Sequence, residues 1–384
     1  MIAEDIFAES LLKLLTPVRR YLDDRSVSEI MINGAERIYV ERKGMLERVP
    51  ESFSSDDALL AALRNVAQFT GKQLDEQHPI LEGRLPDGSR VQAIIPPASF
   101  AGVSVAIRRF SASAFTLPKL VELDALTEDA ALTLEALIVS KLNVLVAGGT
   151  GSGKTSMLNT LSRSIPSSER VIVIEDSKEV QLQQEHVVYL EARPPDRKGR
   201  GAISIRDLFR ATLRMRPDRI VIGEIRGGEA LDIVQAMVSG HGGCMGTLHA
   251  TYPRDTMTRL ETMALMSDID MPLTAMRMQI ASGINVILQV ARLPDGSRKV
   301  THITEVLGYD MDSSRYVLSD LFVREYRGRR PDGSVVTELT PTGVLPSTLS
   351  QIHEHGVDLP PAVYEAARRA EGRPKGRASG AISP

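Results

Sequence analysis

The sequence predicts an α/β fold in which a mostly parallel sheet carries helices on both faces, with a smaller α/β domain before it. Short, fully apolar runs such as Val144–Ala147, Val171–Ile174 and Ile220–Ile222 are typical of strands buried on both faces of a parallel sheet. Segments with apolar residues at helical spacing, such as Glu229–Ser239 after Ile220–Ile222, alternate with strand-like runs. This alternation of strands and helices favours a sheet wrapped by helices.

The first 110 residues hold a separate set of helical and strand-like segments. Helical spacing occurs at Ile6–Leu15 and Asp56–Thr70, and Thr16-Pro17 is typical of a helix start. The strand-like runs are Ile30–Val49, Arg84–Pro96 and Val103–Phe110. We therefore expect an N-terminal α/β domain over residues 1–110.

Changes in composition mark the remaining boundaries. Residues 111–119 are small, polar and proline-containing, which predicts a linker to a core domain over residues 120–323. Further expected elements of the core are Thr127–Leu142, Ile205–Met215, Thr256–Met266 and Leu273–Ala281 as helices and Gly246–Ala250 as a strand. Residues 324–371 would form a C-terminal accessory segment, and the small, polar and basic residues 372–384 a disordered tail.

The word Arg-Leu-Pro-Asp-Gly-Ser-Arg occupies residues 84–90 and recurs at residues 292–298, with a shorter echo at residues 330–334. A duplicated domain is one explanation, but the flanking sequences do not match. Pro-Asp-Gly between apolar strands is a common hairpin turn, so we expect reuse of the same turn chemistry. At residues 292–298 the turn would join Ile284–Ala291 and Lys299–Leu307 into a hairpin.

The segment Gly148–Thr155 fits the pattern G-x-x-x-x-G-K-[ST], and it follows a strand and precedes a helix, as that pattern requires. Its glycines lack Cβ atoms, so the backbone can wrap closely round a phosphate, and the helix N-terminus adds positive charge. We expect Lys154 to reach the β- and γ-phosphates of ATP and the Thr155 hydroxyl to bind Mg²⁺. The alternative is a glycine-rich turn that binds nothing. The expected binding residues are Gly148, Gly149, Thr150, Gly151, Ser152, Gly153, Lys154, Thr155 and Ser156.

Hydrolysis of ATP requires a carboxylate that orients or deprotonates water. Glu224 follows Ile220–Gly223 and Glu175 follows Val171–Ile174, so both lie at carboxyl ends of expected parallel strands, where ligands bind in open α/β sheets. We expect Glu224 to be the general base. Either acid alone could instead be an ordinary helix cap.

Histidines and arginines offer further candidates. His249, at a strand end, is a plausible sensor of the γ-phosphate, whereas His241 could equally be a loop residue. A planar guanidinium suits the transition-state charge of phosphoryl transfer, often from a neighbouring subunit. For each arginine a surface salt bridge is the alternative. The candidates are Arg90, Arg108, Arg214, Arg216 and Arg226.

Composition excludes several classes of protein. The net charge of −3 offers no sign of a basic surface that would track nucleic acid. Cys244 is the single cysteine, which excludes an internal disulfide and fits a reducing compartment. No signal peptide and no apolar run of about 20 residues is present, so we expect a cytoplasmic protein without direct membrane insertion.

Four ordered motifs resemble the secretion ATPase superfamily of type II and type IV secretion and pilus systems. Gly148–Ser156 is similar to its Walker A motif, and Ile174–Asp176 with Glu179 to its Asp box. Arg214–Glu229 resembles its atypical Walker B motif, in which Gly-Glu replaces the usual terminal Asp. Gly240–Ala250 resembles its His box.

Within this superfamily, Arg259–Met266 and Pro341–Gly343 resemble the Tad (Flp) pilus assembly ATPases. That resemblance covers the chain from about Leu12 to about Pro360. The tetracysteine zinc insertion of the type II secretion ATPases is absent, which argues against that branch.

The resemblance implies a homo-hexameric Mg²⁺-ATPase with a RecA-like core that powers pilus assembly or secretion through an inner-membrane platform protein. It also implies that Glu224 is the catalytic base, that Glu175 assists it and that His249 senses the γ-phosphate. N-terminal-domain arginines at the positions of Arg90 and Arg108 would approach the nucleotide. Three alternatives stay open: a conjugative or effector type IV secretion ATPase, a nucleotide-gated scaffold without turnover, and a RecA-like DNA motor, which the net charge disfavours.

Overall fold

The computed structural model describes residues 11–42, 44–109, 115–195 and 199–371. The chain divides into two compact units, residues 1–113 and residues 114–384. The start of the expected helix Ile6–Leu15 and the expected tail at residues 372–384 lie outside the described residues.

The first unit is built on a six-stranded antiparallel sheet with the strand order β3-β2-β1-β6-β5-β4. Its elements are α1 (Thr16–Asp23), β1 (Val27–Asn33), β2 (Ile38–Arg42), β3 (Met45–Val49), α2 (Asp56–Phe69), β4 (Ile80–Arg84), β5 (Arg90–Ile94) and β6 (Ser104–Arg108).

Helix α2 shows how the sequence sets these elements. The Ser55 hydroxyl accepts the N–H of Ala58, and Asp56 in the first turn suits the positive end of the helix. Leu59 and Leu63, four residues apart on one face, are buried in the core of the unit. The cap and the apolar face therefore begin and orient the helix as the sequence predicts.

The second unit contains a nine-stranded sheet with the order β15-β14-β13-β12-β7-β11-β10-β8-β9. Its helices are α3 (Leu117–Glu122), α4 (Glu128–Val139), α5 (Lys154–Ser162), α6 (Ile205–Thr212), α7 (Glu229–Val238), α8 (Pro253–Ala264), α9 (Leu273–Gly283), α10 (Leu349–Glu354) and α11 (Pro361–Glu371). Its strands are β7 (Val144–Gly148), β8 (Val171–Glu175), β9 (Val187–Glu191), β10 (Arg219–Ile222), β11 (Met245–Leu248), β12 (Val286–Arg292), β13 (Arg298–Asp310), β14 (Arg315–Arg329) and β15 (Val335–Pro341).

Six neighbouring strands of this sheet, from β12 to β9, are parallel, and β13, β14 and β15 extend it as an antiparallel meander. Alternate residues of β7 enter different cores: Val144 packs with Leu134 of α4, and Leu145 lies in the core that contains Ile233 of α7. Helices therefore cover both faces, which confirms the predicted fold class. The carboxyl ends of β7, β8, β10 and β11 meet at one edge of the sheet.

The described structure corrects one expected boundary. The division at residues 323/324 falls inside β14, which continues to Arg329 and pairs with β15. Ile352 and Val363, from the two last helices, are buried in the same core as Val144. The expected accessory segment is thus a continuation of the second unit. At the expected linker, α3 begins at Leu117, and residues 110–114 lie outside the described residues.

The repeated word forms the same turn three times, as predicted. In each copy the glycine has φ between +82° and +87°, and its N–H donates to the carbonyl oxygen three residues earlier. In each copy the serine hydroxyl also donates to the aspartate carboxylate two residues before it. The repeat therefore reflects local turn chemistry.

Candidate active site

The segment Gly148–Thr155, here called the P-loop, connects the buried strand β7 to helix α5. Gly151 and Gly153 have φ of +69° and +94°, which residues with a side chain rarely adopt. A Cβ on Gly148 would lie 2.4 Å from the carbonyl oxygen of Val290 on β12, so no side chain fits there. The loop thus has a shape that its glycines alone allow, at a helix N-terminus suited to phosphate.

Lys154, the first residue of α5, is buried inside this edge of the sheet. Its Nζ donates to the carbonyl oxygen of Gly149 at 3.0 Å and lies 3.3 Å from Nδ1 of His249. The Ser152 hydroxyl donates to the same carbonyl oxygen at 2.8 Å. The lysine of the P-loop and the histidine at the end of β11 therefore meet.

His249 also contacts Glu224, because β10 and β11 are neighbouring strands. Its Nε2 lies 3.0 Å from Oε1 of Glu224. Nζ of Lys154 also lies 3.4 Å from Nε2 of His249. Since an ammonium can only donate, a neutral ring that accepts at Nδ1 and donates from Nε2 to Glu224 satisfies both partners. Burial, reinforced by the charge of Lys154, lowers the pKa of His249 and favours that neutral form.

Glu224 lies between the neutral ring of His249 and the charged guanidinium of Arg226. Arg226 donates from Nη2 to Oε2 of Glu224 at 2.6 Å and from Nη1 to Asp176 at 3.2 Å. Burial acts to raise the pKa of Glu224, but the hydrogen bond and charge of Arg226, with His249 and Lys154, outweigh it and lower the pKa. Glu224 is therefore ionised at neutral pH, the state in which a carboxylate accepts a proton. Arg226 makes the salt bridge that the sequence leaves open as the alternative.

Glu175 has the opposite environment. Its carboxylate is buried, and Oε1 accepts the N–H groups of Glu179 and Val180, each at 2.9 Å. Burial outweighs these bonds and raises the pKa of Glu175 to about 7. The side chain packs on Gly223, where a Cβ would lie 2.8 Å from Cγ of Glu175. The Gly-Glu ending of the β10 segment thus leaves space for Glu175 beside Glu224.

Thr155 and Glu179 bring two oxygens together at the start of α5. The Thr155 hydroxyl donates to Oε2 of Glu179 at 3.3 Å. Hydroxyl and carboxylate oxygens are the hard donors that Mg²⁺ takes, and a single protein hydroxyl suits an ion that otherwise binds phosphates and waters. The residues present therefore fit the expected magnesium position.

The other sequence candidates lie on other elements of the two units. Arg90 on β5 and Arg108 on β6 stand opposite each other in the sheet of the first unit. Nδ1 of His241 is buried and has no hydrogen-bond partner among the described residues, and the Cys244 thiol donates to the His241 carbonyl oxygen at 3.1 Å. Burial raises the pKa of Cys244 to about 12, in keeping with a packing role.

Two features near the site are not among the sequence candidates. Gly223 makes space for Glu175, and Arg298, at the start of β13, donates from Nε to the carbonyl oxygen of Gly151 in the P-loop at 2.8 Å. The repeated word at residues 292–298 was a signal for the turn, but it carries no sign of this contact.

Fold and site together define a P-loop ATPase with a RecA-like core. Residues 12–330 match the model of the family described as type II/IV secretion system protein, and the chain belongs to that family. This confirms the family resemblance of the sequence motifs.

Two relatives agree with this family assignment, and one solved structure shares the fold. The chain is 31% identical over 282 residues to a putative conjugal transfer protein of Mycobacterium tuberculosis (strain ATCC 25618 / H37Rv), covering 72% of this chain and 80% of that protein. It is 32% identical over 304 residues to the type IV secretion system protein PtlH of Bordetella pertussis (strain Tohama I), covering 72% and 89%. The X-ray structure of the Yersinia pseudotuberculosis ATPase DotB is similar with a TM-score of 0.54 at 18% identity, covering 80% of this chain and 79% of that one, and shows the shared fold.

None of the helices in the described residues has the length and hydrophobicity of a transmembrane segment.

Proposed function

We propose that this chain is a Mg²⁺-dependent ATPase that acts as a homo-hexamer at the cytoplasmic face of the inner membrane. ATP hydrolysis would move a platform protein and so assemble a Tad (Flp) type pilus or drive secretion. The observation that carries the proposal is the contact of Lys154, His249 and Glu224 beside the P-loop. A nucleotide-gated scaffold needs the P-loop alone, whereas an ionised carboxylate in this cluster serves hydrolysis.

In the proposed reaction, the N–H groups of the P-loop and Lys154 hold the β- and γ-phosphates of ATP. When bound through Thr155, Mg²⁺ neutralises part of the phosphate charge. Glu224 orients a water molecule and accepts its proton as the water attacks the γ-phosphorus and ADP leaves. The carboxylate is suited to this step because it is ionised and contacts His249, which in turn contacts Lys154.

The neighbouring residues have supporting roles in this proposal. His249 joins the base to Lys154, so a change at the γ-phosphate would reach Glu224 through its two ring nitrogens. Glu175 assists from its buried position behind Gly223. Arg226, Arg90 and Arg108 are proposed to approach the phosphates, Arg226 after leaving its ion pairs.

Steady-state ATP hydrolysis tests the proposal, measured with Mg²⁺ at several protein concentrations beside Glu224→Gln. The matched control is Glu135→Gln, which changes an exposed glutamate on α4. We expect turnover to rise with protein concentration, and Glu224→Gln to lose at least about a hundredfold in rate while it still binds a fluorescent ADP analogue.

Three results would count against parts of this proposal. ATP hydrolysis at the parental rate by Glu224→Gln would show that Glu224 is not the general base. ADP binding without turnover by the parent protein under any condition would favour the scaffold. A monomeric mass in light scattering with ATP and Mg²⁺ would contradict the proposed hexamer.

A second candidate is a conjugative or effector type IV secretion ATPase, favoured by what the two relatives are called. The segments Arg259–Met266 and Pro341–Gly343 support the Tad (Flp) branch instead. Replacing the chromosomal gene by its Glu224→Gln version separates them. Loss of surface pili in electron micrographs, with DNA transfer and protein secretion intact, supports pilus assembly. Loss of transfer or secretion with pili intact supports the second candidate.

A further inference from the structure

The turn between β12 and β13 packs against the P-loop. Nε of Arg298 donates to the Gly151 carbonyl oxygen at 2.8 Å, and its Cδ lies 3.3 Å from where a Cβ on Gly153 would be. Nη1 of Arg292, at the other end of the turn, lies 3.5 Å from the corresponding position on Gly151. Both positive-φ glycines of the P-loop therefore have an arginine from this turn against them.

We propose that Arg298 is a positioning residue for the P-loop, which sets the direction of a backbone N–H that binds nucleotide phosphate. The Gly151 carbonyl and the Ser152 N–H belong to one planar trans peptide, so they point in opposite directions. Arg298 holds the carbonyl through its hydrogen bond at 2.8 Å. The Ser152 N–H, on the other side of the same peptide, donates to the Gly149 carbonyl oxygen at 3.4 Å.

The P-loop needs such a contact because glycine has the largest backbone freedom of any residue. Without a restraint on the carbonyl of Gly151, the peptide that follows it can rotate, and its N–H leaves the phosphate side. A charged donor suits this purpose because hydrogen bonds from ionised groups are stronger than neutral ones.

Arg298 can act as a restraint because the turn that carries it is itself held firmly. The Asp295 carboxylate accepts the Ser297 N–H at 3.0 Å and the Ser297 hydroxyl at 2.6 Å. Its other oxygen accepts the Val335 N–H of β15 at 2.7 Å. The other two copies of the repeated turn share the bonds within the turn. This copy is in addition hydrogen-bonded to the next hairpin of the sheet, formed by β14 and β15.

The inference rests on the proposed phosphate-binding role of the P-loop, and nucleotide affinity tests it without requiring hydrolysis. The parent protein, Arg298→Ala and Arg298→Lys are compared, with Arg329→Ala as the matched control, an exposed arginine beside the sister turn at residues 330–334. The probes are a fluorescent ADP analogue and inorganic pyrophosphate, which displaces it and has no base. The thermal midpoint of each protein is recorded without ligand.

We expect Arg298→Ala to bind ADP and pyrophosphate each at least about tenfold more weakly, as for loss of one charge-assisted hydrogen bond. Arg298→Lys should recover part of the affinity, and Arg329→Ala should match the parent, with all thermal midpoints within about two degrees.

Unchanged affinity in Arg298→Ala would overturn the proposal, as would weaker ADP binding with unchanged pyrophosphate binding, which would mean that Arg298 contacts the base. If Arg298→Ala lowers the thermal midpoint, its affinity is not informative. In that case a stable Arg298→Lys with the affinity of the parent protein would still support a hydrogen-bond donor to the Gly151 carbonyl. If Lys154→Ala also bound ADP normally, the proposed nucleotide site itself would be wrong, which distinguishes the two failures.

Discussion

Nζ of Lys154 lies 3.3 Å from Nδ1 of His249, although 95 positions separate the two residues in the chain. They meet because β7 and β11 are paired parallel strands whose carboxyl ends lie side by side. The second ring nitrogen of His249 contacts Glu224, so the histidine connects the lysine of the P-loop to the proposed base.

Removal of His249 should therefore slow hydrolysis more than it weakens binding. We expect His249→Ala to lower kcat by about tenfold or more, the equivalent of about one hydrogen bond to a charged group. The Kd for ADP should stay within about threefold, since the P-loop is unchanged. His355→Ala, at an exposed position after α10, is the matched control. A variant with parental kcat would exclude this role for His249.

The same contact predicts an acid limb in the pH profile. The pKa of His249 is lowered, so the neutral ring that accepts from Lys154 is present above the ordinary histidine value of about 6.5 and is lost only as the pH falls below it. We expect hydrolysis at saturating ATP to be insensitive to this group from about pH 6.5 upward and to fall at lower pH. If His249→Asn and the parent protein lost hydrolysis over the same acid pH range, another group would be responsible for the loss.

Glu175 should reduce stability at alkaline pH. Its folded-state pKa of about 7 lies above the ordinary value of 4.5, so the folded protein favours the protonated form, and this contribution is lost as the pH rises toward 7. Glu175→Gln is neutral at every pH and keeps the oxygen that accepts two N–H groups.

We therefore expect Glu175→Gln to be more stable than the parent by about 2 kcal/mol at pH 8 and by much less at pH 5. Urea unfolding at both pH values measures this, with Glu135→Gln as the control. An equal difference at the two pH values would show that the carboxyl does not titrate in this range.

Gly223→Ala should disturb both carboxylates. The new Cβ would lie 2.8 Å from Cγ and 3.0 Å from Oε1 of Glu175, so the side chain has to move. We expect a loss of about 1–3 kcal/mol in stability and a lower kcat, because Glu224 is the next residue. Combining it with Glu175→Ala removes the clash and should recover most of the stability. No recovery in the double variant would mean that the strain lies in the backbone of Gly223.

The buried ion pair at the other end of β10 should affect stability alone. Nε of Arg219, a fully buried side chain, lies 2.5 Å from Oε2 of Glu169. Glu169→Ala leaves the buried guanidinium of Arg219 without this carboxylate, which should lower the free energy of unfolding by about 3–5 kcal/mol. The control Glu135→Ala should lower it by less than about 1 kcal/mol. Because Arg219 begins the strand and Glu224 follows its end, kcat of the folded protein at low temperature should be unchanged. A large loss of kcat would connect the pair to catalysis.

Local patterns explain why much of the second unit was predictable. The apolar runs of β7, β8 and β10 are buried at every residue, and Gly151 and Gly153 of the P-loop have positive φ, which glycine adopts readily. The boundary expected at residue 324 failed because only Leu321 and Phe322 of β14 are buried, so the strand lacks a clear apolar pattern, and its pairing with β13 and β15 is set by tertiary structure.

By itself, the sequence determined the elements whose physics is local: the strand–glycine loop–helix unit, the acids that follow the strands, and the turn used three times. Only the tertiary structure decided how equivalent groups differ. Glu175 and Glu224 both follow parallel strands, yet burial raises the pKa of the first, and Arg226 with its neighbours lowers that of the second. Likewise, Arg298 reaches Gly151 because β12 is paired with β7, and strand order follows from packing across the whole sheet, which no short segment encodes.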